Sequence, residues 1–287
     1  MHHATGAVRR IALFTAFLAT AVAWTARSDA ADRPARIVSI NLCADQLLIA
    51  LADPEQILSL STFATDGRLS YLADKAAQFP HGAGSAESVV ALRPDLVLAG
   101  RFTRLATRQM LARLGYRMVL LDAVRSIDDA IAQIREVSAL VGHPGRGESL
   151  VAEIEAARRE ASASASAQGH SVAFYQRRGY VAGGDTFTSE LLRKVGLTYT
   201  GGDLAGATGG FVPLEKLVAN APDYIVVSRL EARAEDQGAA LIAHPALAAL
   251  FPPERRIPLP DRLTVCAGPA TPEALRYLAQ ATRQLSR

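Results

Sequence analysis

The sequence predicts an α/β protein of two Rossmann-like lobes, joined by a long connector helix, with a cleft between the lobes. Short apolar runs alternate with helical patterns in both halves, which favours parallel βαβ units. One phrase occurs once in each half: residues 87–98 read ESVVALRPDLVL and residues 215–226 read EKLVANAPDYIV. The intervening stretch, residues 124–169, is helical in pattern and becomes rich in Ser and Ala towards its end.

The composition is that of a globular protein with an export signal. The chain has 287 residues, of which 49% are hydrophobic and 21% charged, enough for one large or two modest cores. Residues 1–30 are predicted to be a secretory signal peptide, because arginines precede an apolar run at 11–24 and small residues allow cleavage before Ala31. An uncleaved anchor is the alternative. Residues 1–30 contain three arginines and one aspartate, so the chain without them has 28 basic and 27 acidic residues. This nearly balanced charge argues against nucleic acid as a partner.

The N-terminal lobe is predicted over residues 31–123. Its strands are predicted at 36–40, 57–60, 96–98 and 118–121, and its helices at 42–51, 85–92 and 104–114. Gly115 suits the end of the last helix, because glycine adopts the left-handed conformation found there. Residues 61–86 show no regular pattern and are predicted to be irregular.

The helical connector is predicted over residues 124–169. Ser126 suits an N-cap, and the two aspartates that follow it suit the first turn of a helix. One helix is predicted to run to Val141, and a second from about 147 to 163, with the Gly-His-Pro-Gly sequence between them as a break.

The C-terminal lobe is predicted over residues 170–287 and repeats the pattern of the first. Its strands are predicted at 172–175, 224–227 and 256–259, and its helices at 189–195, 213–220, 239–250 and from about 272. Glycine-rich loops are predicted at 176–187 and 201–210.

Glu87 and Glu215 open the two copies of the repeat, each in the first turn of a predicted helix. An acid there stabilises the helix dipole by about 0.3–1 kcal/mol, which explains either residue alone. Their matching places in two lobes favour a second role, in which each lobe presents one acid to a partner.

With these motifs in place, the chain resembles periplasmic substrate-binding proteins of the vitamin B12/ferric-siderophore class, which feed ABC importers. The resemblance covers nearly the whole chain after residue 30. It rests on Val38-Ser39-Ile40 with the following helix, Arg93-Pro94-Asp95-Leu96-Val97 after Glu87, the connector, and Leu214-Glu215-Lys216-Leu217.

The resemblance implies a binding protein that performs no chemistry and needs no resident cofactor or metal. It implies a periplasmic monomer that captures a corrinoid or a ferric siderophore and delivers it to an inner-membrane permease dimer. Glu87 and Glu215 would dock onto arginine pockets of that dimer. Haem or a metal ion is the alternative ligand, and a cysteine-dependent metal-cofactor enzyme or scaffold is the alternative from another class.

Candidate ligand contacts follow from the rule that open parallel sheets bind ligands at the carboxyl ends of their strands. Related proteins often place tryptophans in the cleft, whereas this chain has only Trp24, inside the predicted signal. A solvated loop position is an equal alternative for His81. The rule nominates Asn41, Cys43, Phe63, His81 and Arg101 in the first lobe, and Tyr175, Tyr180, Phe211, Arg262 and Cys266 in the second.

Cys43 and Cys266 are the only cysteines. An exported protein meets an oxidising compartment, which favours a disulfide that would staple the cleft. Free structural thiols and direct contact with a ligand or soft metal are the other possibilities. The sequence alone leaves the three open.

Motifs for catalysis or for binding a bare metal are not found in this sequence. It contains no Gly-x-Ser-x-Gly, no His-Glu-x-x-His and no phosphate-binding Gly-Lys pair. The histidines beyond residue 30 are His81, His143, His170 and His244, and no two have the spacing of a helical metal pair. These observations favour a chelated metal or a corrinoid over a bare ion.

Overall fold

The structure, a computed structural model, describes residues 33–82, 84–165, 169–228 and 244–285. The predicted signal peptide and residues 239–243 of the predicted 239–250 helix lie outside the described residues. The first lobe is one five-stranded parallel sheet in the order β3-β2-β1-β4-β5, with helices between its strands. Its elements are β1 (Ile37–Ser39), α1 (Leu42–Leu51), β2 (Ile57–Ser61), α2 (Ala73–Ala76), β3 (His81–Gly82), α3 (Ala86–Leu92), β4 (Leu96–Gly100), α4 (Leu105–Arg113) and β5 (Met118–Leu121).

The second lobe is a four-stranded parallel sheet in the order β11-β10-β6-β8, with a separate antiparallel pair, β7 and β9. Some short strands and helices of this lobe lie in stretches that the sequence predicts to be loops. The elements are β6 (Ser171–Phe174), β7 (Tyr180–Ala182), α7 (Phe187–Lys194), β8 (Thr198–Tyr199), α8 (Gly201–Ala205), β9 (Gly209–Phe211), α9 (Leu214–Ala219), β10 (Tyr224–Ser228), α10 (Pro245–Leu250), β11 (Arg256–Leu259) and α11 (Thr271–Thr282).

The connector is a pair of helices, α5 (Ile127–Leu140) and α6 (Pro144–Ala163). The sequence predicts both, but α6 begins at Pro144, earlier than predicted, because proline suits the first turn of a helix. The two helices approach closely at Gly147, where a Cβ would lie 2.1 Å from the Ser138 Oγ. Only glycine therefore fits that position without a shift of α5 or α6.

The connector packs against both lobes. Helix α5 contacts α1 of the first lobe and α7 of the second, and α6 contacts α1, α7 and α11. The backbone N–H of Ile127 donates to the Glu190 carboxylate at 2.5 Å, which ties the start of α5 to α7. The lobes are thus held together by packing as well as by the chain. The domain boundaries at 123/124 and 169/170 stay a prediction.

The Pro-Asp dipeptide of each repeat performs the same structural task in its own lobe. The Asp95 carboxylate accepts hydrogen bonds from the backbone N–H groups of Ala35 (2.8 Å) and Arg36 (3.0 Å), just before β1. The Asp223 carboxylate accepts from the Ser171 N–H (2.7 Å) at the start of β6. The hydrogen bonds from Ser171 lower the pKa of Asp223, because they favour its charged form. The repeat is therefore structural as well as sequential.

No helix among the described residues has the length and hydropathy needed to cross a bilayer.

Candidate functional site

A cavity of about 240 Å³ lies where the first lobe, the connector and the second lobe meet. Residues 100–102 and 121–124 form its first-lobe wall, and residues 264–267 with Phe187 form its second-lobe wall. Most of these residues follow the carboxyl ends of β4, β5 and β11, where open parallel sheets bind ligands. The cavity is therefore the base of the predicted cleft.

Asn41 lies in this base and also caps α1. Its Oδ1 accepts hydrogen bonds from the backbone N–H groups of Cys43 (3.0 Å) and Ala44 (3.2 Å), which satisfies two free donors of the helix. Its amide lies so close to Gly100 that a Cβ there would be 2.6 Å from the Asn41 Nδ2. The structure thus places Asn41 where the sequence predicts it, in a fixed orientation.

Cys43 and Cys266 form a disulfide bond in this base, with their Cα atoms 5.2 Å apart. Cys43 lies in the first turn of α1, and Cys266 lies between β11 and α11 with 2% of its surface exposed. Of the three possibilities open from sequence, the structure has the disulfide. Neither position therefore holds a free thiol or a thiolate ligand.

Arg101 and Asp122 form an exposed ion pair on the first-lobe wall of the cavity. The guanidinium lowers the pKa of the Asp122 carboxyl, and the carboxylate raises the pKa of Arg101. Each charge is balanced by the other in the protein without ligand. A polar ligand group can therefore replace one partner of the pair rather than meet a bare charge.

Two exposed phenylalanines form the apolar part of the first-lobe wall. Phe63 and Phe102 are 57% and 85% exposed, and both line a second cavity of about 520 Å³ beside the first. Asn41 and Phe102 line both cavities, so the two are neighbours. Phe63 is among the residues predicted from the sequence, whereas Phe102 is not. The signal that could have identified Phe102 is its position directly after Arg101, past the end of β4.

An aromatic pair stands on the small antiparallel sheet of the second lobe. Tyr180 on β7 and Phe211 on β9 are cross-strand partners with an edge-to-face contact, their ring centroids 5.6 Å apart. The Tyr180 hydroxyl donates to the Thr208 carbonyl at 3.1 Å, while Phe211 is 70% exposed. A bridge between Tyr175 and Val181 places this sheet at the carboxyl end of β6. Neither ring lines the two cavities.

Tyr175 does not form a cleft wall, so this prediction is wrong. Its side chain is fully buried in a core cluster with Ala173, Leu217 and Phe251. The alternation of β6 continues one residue past Phe174, which points Tyr175 into the same layer as Ala173. Burial raises the pKa of its hydroxyl.

His81 and Arg262 are exposed, and neither lines the cavities. His81 lies on β3, at the edge of the first sheet. Arg262 lies in the turn after β11, close to the 264–267 wall in the chain but not part of it. Contact of either residue with a ligand stays a prediction.

A buried carboxyl supports the floor of the first lobe. The Asp45 side chain accepts hydrogen bonds from the Ser61 N–H (3.0 Å) and the Ser61 Oγ (2.5 Å). Burial raises the pKa of Asp45, and these bonds oppose the rise. Asp45 fixes the carboxyl end of β2, directly before the cavity residues Thr62 and Phe63.

Glu87 and Glu215 occupy equivalent positions. Each is the second residue of its helix, α3 or α9, and each is exposed. Hydrogen bonds from its own backbone N–H and from Ser85 lower the pKa of Glu87. Ser85 lines the 520 Å³ cavity, and Phe211 precedes Glu215 by four residues.

Among the described residues, no group of three or more His, Cys, Asp or Glu side chains is placed to hold a metal ion.

The chain belongs to the periplasmic binding protein family, whose model it matches over residues 37–252. A cobalamin-binding protein of Halobacterium salinarum is 27% identical over 222 residues, which cover 74% of this chain and 58% of that protein. The chain thus spans less than two thirds of this relative's length.

Solved structures share the fold. The periplasmic heme-binding protein RhuT from Roseiflexus sp. RS-1 superposes with a TM-score of 0.72 at 24% identity, covering 88% of this chain and 97% of RhuT. The periplasmic vitamin B12 binding protein BtuF of Vibrio cholerae gives a TM-score of 0.67 at 15% identity, covering 87% and 97%. The predicted two-lobed α/β fold and the resemblance to this class are confirmed.

Proposed function

We propose that this protein is the exported solute-binding component of an ABC importer and that its ligand is a corrinoid. The observation that carries the proposal is the chemistry of the cleft. The exposed Phe63 and Phe102 line the two cavities on the first lobe, and a small set of polar groups lies at the base. Large organic ligands bind in sites of this kind, mostly apolar with a few placed polar groups.

The polar groups at the base suit a ligand whose own atoms already coordinate its metal, so that the protein supplies no metal ligand. Both cysteines are consumed by their bond, and Asn41 uses its oxygen to cap α1. Arg101 and Asp122 remain as exchangeable partners for amide or phosphate groups. The curated relative named as a cobalamin-binding protein supports a corrinoid within this class. A ferric siderophore is the nearest rival in the same cleft.

Haem is the second candidate, supported by solved structures of heme-binding proteins that share the fold, such as RhuT. A cysteine-dependent metal enzyme or scaffold is disfavoured, because its thiolates would have to come from the disulfide. We therefore expect a periplasmic monomer that binds and hands over its ligand without changing it.

A binding screen tests the proposal. The exported protein is titrated by calorimetry with cyanocobalamin, cobinamide, haemin, a ferric hydroxamate and free divalent ions, with and without reductant. Tight binding of a corrinoid is the expected result. Selective binding of haemin or the hydroxamate would replace the corrinoid within the same function, and binding of a bare ion alone would reject the proposal.

A further inference from the structure

More than half of the exposed large apolar side chains that the structure describes lie close together in the sequence. Of the nine large hydrophobic residues that stand exposed in the described part of the chain, five fall between residues 102 and 120. Large exposed apolar patches mark sites of association with a protein or a membrane. Phe102 belongs to the cleft, and the four others lie on or beside α4. They are Leu105, Met110, Leu114 and Leu120.

Two of these side chains are neighbours on α4. Met110 and Leu114 are four residues apart on its exposed half, whereas Leu105 lies at the other edge of that half and Leu111 is buried. Leu120 lies two residues after Met118, which packs with Leu111. Strand alternation therefore puts Leu120 on the face of the sheet that α4 covers. The exposed half of α4 is about 14 Å long.

The same segment is strongly basic. Residues 101–121 contain five arginines and no Asp or Glu, whereas the whole chain carries a net charge of only +3. Arg101 is paired with Asp122, and the Arg108 Nε donates to the Thr103 carbonyl at 2.9 Å. Arg104, Arg113 and Arg117 are exposed, and none of them is in an ion pair with another described residue. Arg104 lines the 520 Å³ cavity and is left with the cleft. We call Leu105, Met110, Leu114 and Leu120 with Arg113 and Arg117 the α4 face.

We propose that the α4 face binds the anionic phospholipid surface of a bilayer. Apolar side chains that project from a convex helix, rather than line a groove, can enter the boundary between lipid headgroups and acyl chains. Arginines around them keep their charge at the phosphates while their stems lie on apolar surface. The excess of positive charge selects an anionic surface over a neutral one.

The position of the α4 face agrees with delivery to a membrane protein. Helix α4 packs beside α3, which carries Glu87. A lobe that rests on the bilayer through α4 keeps Glu87 close to the plane of that bilayer. A partner embedded in the membrane could then be reached by movement along its surface rather than from bulk solution.

Vesicle flotation tests the inference, using exported protein recovered without detergent. Its N-terminus is determined first, because an uncleaved apolar segment at 11–24 would itself bind lipid. Binding is compared between phosphatidylcholine vesicles and vesicles in which about one third of the lipid is phosphatidylglycerol. We expect binding only to the second, with a loss at high salt.

Variants locate the surface. Arg113→Glu with Arg117→Glu should weaken binding at least about 25-fold, because each basic residue near an anionic surface contributes about fivefold. Lys75→Glu with Arg159→Glu makes the same change of charge at exposed positions elsewhere and should bind like the parent. Met110→Ser with Leu114→Ser should weaken binding without removing its salt dependence. Unchanged thermal unfolding would show that each variant is folded.

Several outcomes would reject the inference. These are no dependence on phosphatidylglycerol, or an equal loss in the control pair. A concentration-dependent dimer that the arginine reversals abolish, in the absence of vesicle binding, would instead make the α4 face a contact between copies. None of these measurements uses the cleft ligand, so their failure and that of the proposed function can be told apart.

Discussion

The Sγ of Cys43 is bonded to the Sγ of Cys266, and this bond joins the first turn of α1 in one lobe to the segment before α11 in the other. The two residues are 223 apart in the chain. Closing so long a loop restricts the unfolded chain, and it stabilises the fold by about 2–5 kcal/mol. The bond also fixes the separation of the two walls at the base of the cleft.

Reduction of this bond should lower the thermal stability of the protein. We expect dithiothreitol to lower the melting temperature of the parent to that of the Cys43→Ser, Cys266→Ser double variant. The variant itself should not respond to dithiothreitol. A parent with the same melting temperature in both buffers would contradict a stabilising role for the disulfide.

If Glu87 and Glu215 dock onto the permease as the family resemblance implies, removal of both acids should abolish transport and leave ligand affinity intact. The change is Glu87→Gln with Glu215→Gln, which keeps the shape of two exposed side chains and removes their charge. The measurements are uptake by cells that carry the importer and calorimetry on the isolated protein. Glu55→Gln with Glu254→Gln is the matched control at two other exposed acids. Parallel loss of affinity would place Glu87 and Glu215 in ligand binding instead.

Phe102→Ala should weaken ligand binding by about tenfold or more without changing stability. The ring is 85% exposed in the free protein, so its removal leaves no cavity in the core. A bound ligand would cover it, and burying an aromatic ring contributes one to several kcal/mol. Calorimetry with the ligand found in the screen measures the effect, with Val218→Ala as an exposed apolar control. An unchanged dissociation constant would remove Phe102 from the site.

Gly147→Ala should destabilise the protein by about 1–3 kcal/mol. The new Cβ would meet the Ser138 Oγ at 2.1 Å, so α5 and α6 would have to separate. Gly145→Ala is the matched control two residues earlier in α6, where a Cβ meets nothing within 4 Å. There we expect no loss, because alanine is the better helix former. Urea unfolding of both variants checks the prediction, and equal stabilities would contradict the close approach.

We expect the stability of the protein to fall at acid pH as the Asp53 carboxylate becomes protonated. The guanidinium of Arg146 is the main cause that lowers the pKa of this carboxyl from 3.8 to about 2, with further hydrogen bonds from Arg33 and His143. Because the folded pKa lies below the unfolded one, the stabilisation is present above about pH 4 and is lost as pH falls towards 2. The difference in melting temperature between the parent and Asp53→Asn should shrink over that interval. A constant difference would show that the charge of Asp53 is not involved.

The fold could be predicted from the sequence because periodicity and the repeat are local signals. The alternation of strands and helices predicted the parallel sheets, and the paired phrases predicted equivalent places for Glu87 and Glu215. Tyr175 shows the limit of this reasoning, because one more step of strand alternation turned it from the cleft into the core.

The disulfide could not be predicted from the sequence, because local sequence patterns do not give the distance between residues that are far apart in the chain. Whether Cys43 reaches Cys266 depends on how α5 and α6 set the lobes against each other. Phe102 was missed for a different reason, because the carboxyl-end rule selects a loop and does not say which of its residues projects. Short elements such as β7 and β9 lay below the length at which alternation can be recognised.

Each repeat fastens the first strand of its own lobe, through Asp95 at β1 and Asp223 at β6. Neither aspartate reaches across to the other half. The anchoring of each first strand is therefore local to its lobe. Substitutions in the cleft loops of one lobe can thus change what that wall recognises without disturbing the strand anchor of the opposite lobe.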